Sequence, residues 1–187
     1  IANINGDNID DYGKMAQRLS YEDVDSLEVN ISCPNVKNGG MLFGTDPDIA
    51  YQVVKRVLEN TDKHVIVKLT PNVTDIKVIA KAVEEAGANA ISLVNTFSGM
   101  KIDIHSQKPV LDRKIGGLSG PAIKPLALKF VYDVYSAVKI PIIGMGGISN
   151  SEDAIEFILA GASAIAVGTY NFVNPLVAVE IYDGIEK

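Results

Sequence analysis

The chain has 187 residues, of which 47% are hydrophobic and 21% charged, with a net charge of −6 and a single cysteine. That size and apolar content support one domain with a substantial core. The acidic balance and scattered basic residues argue against a nucleic-acid or anionic-membrane partner. No apolar run reaches the roughly 18 residues of a bilayer span. No secretory signal is visible, and a lone cysteine cannot form an internal disulfide, so a reducing, cytoplasmic setting is expected.

The first segment, 1-IANIN-5, reads as the middle of a strand with no methionine before it, as in a chain whose beginning is missing. A second apolar run, 26-SLEVNIS-32, leads into the cysteine-containing stretch 33-CPNVKNGG-40. Asp46, Pro47 and Asp48 open an amphipathic helix over 49–60, with acidic residues at the positive end of the helix dipole. A strand at 64-HVIVKL-69 precedes a helix over 76–87, opened by Thr74 and Asp75 and closed by Gly87. After the strand 90-AISLVN-95 comes 97-FSGMKIDIHSQKPVLDRK-114, long for a βα connection and expected to be a lid or partner contact. The glycine cluster 115-IGGLSG-120 leads to a helix over 122–138 opened by Pro121, on which Tyr132 and Tyr135 read as packing residues. Finally come a strand at 140-IPIIGM-145, a helix over 152–161 opened by Ser151, and a strand at 163-SAIAVG-168.

Alternating strands and helices predict a parallel sheet with helices outside it. The short turns 86-AGANAISLV-94 and 160-AGASAIAVG-168 repeat one helix–strand unit. An open doubly wound sheet would favour a glycine-rich loop after the first strand, and 1-IANINGDN-8 does not supply one. The glycines gather instead after the last two strands, where (β/α)₈ barrels place their phosphate site. The expected architecture is therefore α/β, a (β/α)₈ TIM barrel present as about six βα units without its N-terminal strands. Residues 1–187 are expected to form a single barrel domain that is N-terminally incomplete.

Polar residues recur at the C-terminal strand ends: Asn3 and Asn5, Asn30 and Cys33, Lys68 and Thr70, Asn95 and Thr96, Gly146 and Gly147, Gly168 and Thr169. In a parallel barrel these ends converge on one face. The backbone N–H groups of Gly146-Gly147 and of Gly168-Thr169 suit a phosphate near a helix start, although tight turns needing positive φ use glycine too. Lys68 within an apolar strand is expected to point a cation into the barrel mouth. Cys33 is a small buried hydrophobe, a nucleophile or a general base. A nucleophile ordinarily has a histidine beside it. His64 opens a strand on the opposite face and His105 lies in a polar loop, so base chemistry on a carbon acid is favoured.

The stretches 30-NISCPN-35 and 36-VKNGGMLFGTDP-47 resemble the dihydroorotate dehydrogenase family, and within it the class 1B catalytic subunits. Further similarities are 66-IVKLTPN-72, 91-ISLVNTFSGMKID-103, 116-GGLSGPAIKP-125, 141-PIIGMGGI-148 and 162-ASAIAVGT-169, in order along nearly the whole chain. The resemblance implies an FMN-binding (β/α)₈ barrel that oxidises dihydroorotate to orotate in pyrimidine (UMP) biosynthesis. It implies Cys33 as the base removing the C5 proton while hydride leaves C6 for the flavin. It implies Asn30, Asn35, Asn95 and Thr96 as substrate-binding residues, side-chain amides matching the donors and acceptors of the pyrimidine ring. The cofactor-binding residues it implies are Asn3, Asn30, Lys68, Val94, Gly120, Gly146, Gly147, Gly168 and Thr169, with the last four near the phosphate.

The family's first two βα units, with a lysine and an asparagine-containing loop that complete its sites, have no counterpart in the chain. Class 1B subunits pair with a second subunit carrying FAD and a 2Fe–2S cluster that passes electrons to NAD⁺, which implies a hetero-oligomer. One cysteine cannot itself hold such a cluster. Other readings are a class 1A, fumarate-using homodimer, a domain like the last one of dihydropyrimidine dehydrogenase, a sugar-phosphate isomerase, and a non-catalytic flavin-binding module.

Overall fold

The computed structural model describes residues 1–32 and 43–186. The expectations for Cys33 and Asn35 fall outside these residues. Six strands build one parallel sheet: β1 (Ala2–Ile4), β2 (Ser26–Asn30), β3 (His64–Lys68), β4 (Ala90–Leu93), β9 (Ile142–Met145) and β10 (Ala164–Ala166). Their spatial order, β1-β2-β3-β4-β9-β10, is their order in the chain. A doubly wound sheet reverses direction at a switch point. Strictly sequential order with right-handed crossovers instead puts every helix on one face, as in a barrel wall.

The helices are α1 (Ile9–Ser20), α2 (Pro47–Leu58), α3 (Ile76–Glu85), α4 (Lys124–Tyr135), α5 (Ser151–Leu159) and α6 (Val177–Ile185), each packed on the next. Side-chain oxygens cap four of them. Asn8 accepts from Asp11 N–H, Asp46 from Asp48 and Ile49, Asp75 from Lys77, and Asn150 from Asp153. The cap of α5 is thus Asn150, one residue before the expected Ser151, because its extended backbone (φ −155°) lets the amide oxygen reach the first turn.

Side chains alternate between apolar and polar in β2 and β4 and about Asn3 in β1, whereas 65-VIV-67 of β3, β9 and β10 are apolar on successive residues. Ile4, Leu27, Val29, Val65, Val67, Ile91, Leu93 and Ile142 are buried in the core. Asn3, Glu28, Asn30, Lys68 and Ser92, of the other parity, lie on the concave face. Gly144 lets Phe157 of α5 come down on the sheet; a Cβ there would stand 2.7 Å from its ring.

The long segment after β4 forms two small antiparallel ladders, β5 (Phe97–Gly99) with β8 (Gly116–Leu118) and β6 (Ile102–Asp103) with β7 (Lys108–Pro109). Tyr132 and Tyr135 are 64% and 60% exposed, so neither is buried as a packing residue, although Tyr135 keeps one contact. Tyr135 lies over Gly161, whose φ of +109° and missing side chain leave room for the ring. Among the described residues no helix is long and apolar enough to cross a membrane.

Candidate functional site

The C-terminal ends of β3, β4, β9 and β10 surround a cavity of about 320 Å³. Lys68, Val94, Asn95 and Thr96 stand on one side, and Gly120, Gly146, Gly147, Gly168 and Thr169 line the remainder. Nine residues singled out from the sequence therefore share one space. Met145, Ile148 and Ala166 add apolar wall.

The glycines have separate reasons to be glycine. Gly120, Gly146 and Gly147 have φ of +89°, +127° and +82°, which L side chains resist. A Cβ on Gly147 would also lie 2.8 Å from the Lys124 nitrogen and 2.9 Å from the Gly120 carbonyl. Gly168 is different, with φ −103° and open space where its Cβ would be. Thr169 Oγ1 donates to Ser119 Oγ at 2.9 Å, tying the loop after β10 to the one before α4.

The loop after β9 is held from behind by charge. Asp153, in the first turn of α5, accepts from the Ser149 N–H at 2.9 Å and the Ser149 hydroxyl at 2.7 Å. Lys124 Nζ donates to Asp153 at 2.6 Å and to Glu156 at 3.1 Å. Burial pushes the Asp153 carboxyl up, but the hydrogen bonds from Lys124 and Ser149 outweigh it and hold the group below the usual carboxylate range. Hydrogen bonds to Asp153 and then Glu156 push the Lys124 ammonium up.

Lys68 pairs with a residue that the sequence reading passed over. Its Nζ lies 3.7 Å from Glu28 Oε2, and Glu28 lines the same cavity. Asn3 Nδ2 donates to Glu28 Oε2 and Ser92 Oγ to Glu28 Oε1, each at 2.6 Å. Asn3 thus meets the cavity through Glu28, without lining it. The signal was available: a glutamate two residues before Asn30 in an apolar strand shares its face, just as Lys68 stands out in the next strand.

Asn30 is not a wall residue either. Its Oδ1 accepts from the Ser32 N–H at 3.1 Å and from Asn95 Nδ2 at 3.2 Å. Asn95 Oδ1 in turn accepts from the Thr96 N–H at 2.8 Å. Asn72, not singled out from the sequence, donates to the Thr96 carbonyl at 2.9 Å and accepts from the Ser98 N–H at 2.9 Å. A neighbouring cavity of about 600 Å³ shares Asn95 and Thr96 and is lined also by Asn72 and Arg113. Among the described residues no group of three or more His, Cys, Asp or Glu is placed to hold a metal.

Sequential parallel winding, with a glycine-lined, cation-bearing pocket at the carboxyl ends of the strands, is the arrangement of part of a (β/α)₈ barrel wall. The model of one family, dihydroorotate dehydrogenase, matches residues 1–187, and the chain belongs to that family. It is 59% identical over its whole length to the dihydroorotate dehydrogenase B (NAD(+)) catalytic subunit of Malacoplasma penetrans, covering 61% of that protein. It is also 59% identical to the subunit so named from Desulforamulus reducens, covering 62%. The chain thus spans about three-fifths of the length of the curated relatives it matches. A solved dihydroorotate dehydrogenase from Eimeria tenella, in complex with ferulenol, superposes with a TM-score of 0.76 at 27% identity, over 94% of this chain and 52% of that one.

Proposed function

We propose that these 187 residues form the greater part of a B-type dihydroorotate dehydrogenase subunit, which oxidises dihydroorotate to orotate with FMN held in the 320 Å³ cavity. The observation carrying this reading is the gathering of Lys68, Val94, Gly120, Gly146, Gly147, Gly168 and Thr169 around one space. The fit to FMN is chemical. Three glycines of positive φ leave close backbone approach to a phosphate, and Thr169 adds a hydroxyl. Val94, Met145 and Ala166 offer apolar contact to a ring system. Lys68 offers a cation where charge would build.

FMN bound there would supply a hydride acceptor for C6 of the substrate. The chain's own part is to hold the pyrimidine and take the proton. Asn95 and Thr96, supported by Asn30 and Asn72, present amide and hydroxyl groups at the rim; the family resemblance adds Asn35 to the residues that bind the ring. Cys33 takes the C5 proton as thiolate, so that loss of proton and hydride leaves the C5–C6 double bond. Asn3 acts on the cofactor side through Glu28. The relatives' designation as NAD(+)-linked catalytic subunits supports a partner subunit and NAD⁺ as electron acceptor; the FAD and 2Fe–2S cluster of that partner rest on the family resemblance alone, and a cytoplasmic setting on the sequence alone.

The test uses the full-length protein, isolated with whatever subunit accompanies it. It should be yellow, release one FMN per catalytic chain on denaturation, and lose its colour anaerobically on addition of dihydroorotate. Colourless protein, or a bound flavin that dihydroorotate leaves oxidised, would overturn the reading. Reoxidation by fumarate but not by NAD⁺ would move it to the class 1A alternative.

A further inference from the structure

Glu28 is a carboxylate on the concave face of the sheet, with its side chain only 15% exposed. Such a group costs several kcal/mol to desolvate unless its oxygens are met by donors. Here each oxygen is met, Oε1 by Ser92 and Oε2 by Asn3, both at 2.6 Å. Two neutral donors, one on the adjacent strand β1 and one on β4 two strands away, therefore fix a negative charge in the wall of the cavity. Register explains the placement: Asn3 is directly opposite Glu28 on β1, and Ser92 is opposite Lys68 on β4.

Among the described residues Glu28 is the one carboxylate within ion-pair range of Lys68. The 3.7 Å separation is longer than a charge-assisted hydrogen bond of about 2.7–2.9 Å. Glu28 thus attracts the ammonium without capturing its protons, which remain available to the cavity.

We propose that Glu28 is a positioning and charge-tuning residue: anchored by Asn3 and Ser92, it sets where the Lys68 ammonium stands and how strongly that ammonium favours negative charge on the bound group. This rests on the FMN reading above. A reduced flavin carries more negative charge than an oxidised one, so Lys68 favours the reduced form and Glu28 moderates that preference. Removing the carboxylate while keeping its size leaves Lys68 unopposed.

The test is the two-electron midpoint potential of the flavin in full-length Glu28→Gln protein. The reduction equilibrium should shift about tenfold toward the reduced form, which is about 30 mV upward. The same substitution in a Lys68→Met background should give a much smaller shift, because the effect runs through Lys68. Ser92→Ala, which withdraws one donor and keeps the charge, should lower the potential, and it serves if Glu28→Gln fails to fold. An unchanged potential in the foldable variant, or an equal shift with and without Lys68, overturns the proposal. Crystal structures of the same proteins give a readout that needs no flavin: Lys68 Nζ leaves its wild-type position in Glu28→Gln if the carboxylate places it, and an unmoved Nζ overturns the idea. If the wild type holds no FMN, the functional reading fails on its own and the position of Nζ still decides this one.

Discussion

The Lys124 ammonium meets the Asp153 carboxylate at 2.6 Å, and the same carboxylate receives both the N–H and the hydroxyl of Ser149. One nearly buried anion therefore joins α4, α5 and the loop that carries Gly146 and Gly147. Asp153→Ala removes three bonds and leaves Lys124 with only the exposed Glu156. Because Lys124 is partly solvated and keeps Glu156, the loss is that of the hydrogen bonds to a charged group, about 1–3 kcal/mol, which in a chain of this length lowers Tm by about 2–12 °C. A thermal scan of wild type and variant measures it. Flavin retention should weaken in parallel, because the glycine loop loses its brace.

The same pair sets a pH window. Asp153 is held below its ordinary value in the folded state, so its contribution is present above about pH 4 and is lost as acid protonates it. Lys124 is held above its ordinary value, so its contribution is complete below about pH 10.5 and is lost as alkali removes the proton. The stability gap between wild type and Asp153→Asn should be a plateau near neutrality that closes toward both extremes. Denaturant midpoints across pH would show it; a gap independent of pH would contradict the assignment.

Gly147 and Gly168 separate folding from binding. Gly147→Ala meets positive φ and two backbone atoms inside 3.0 Å, so it should destabilise the fold by about 1–3 kcal/mol as well as weaken FMN. Gly168→Ala meets neither obstacle and should stay within about 0.5 kcal/mol of wild type. Its methyl group borders the cavity, so FMN affinity should still fall. Unfolding curves beside fluorescence titrations with FMN distinguish the two cases.

Cys33→Ala should lower dihydroorotate oxidation by on the order of 10²–10⁴-fold while FMN stays bound. Cys33→Ser should keep a fraction of the rate and move its pH profile upward, because a hydroxyl is a weaker acid than a thiol. Anaerobic stopped-flow measurement of flavin reduction separates these from any effect on reoxidation.

Much of this was legible in the residues. The strands announce themselves as Ile/Val runs, and Asp46, Asp75 and Gly87 mark helix ends by ordinary capping chemistry. Gly146-Gly147 and Gly168-Thr169, after the last two strands, pointed to the cavity. What was harder to read has physical reasons. α1 is polar and contains Gly13, so its apolar stripe is thin; it is fastened by Tyr12, whose hydroxyl donates to the Asn30 carbonyl at 3.0 Å and whose ring meets Phe43 edge-on. The ladders of β5–β8 and β6–β7 are two or three residues long, too short to show alternation. Tyr132 and Tyr135 have the spacing of a buried pair, but helix spacing alone does not say which side faces the sheet. Glu28 escaped because its partners, Asn3, Ser92 and Lys68, come from three other strands, and only register brings them together.

Sequential winding leaves β1 and β10 at the two margins of the sheet, each hydrogen-bonded to one neighbouring strand among the described residues. Backbone amides and carbonyls along such margins recruit whatever strand comes within reach. A preparation of these 187 residues by themselves should therefore be adhesive, pairing margin to margin into oligomers as its concentration rises. Its pigment content would then report self-association as much as pocket chemistry, so flavin stoichiometry is best measured alongside light scattering.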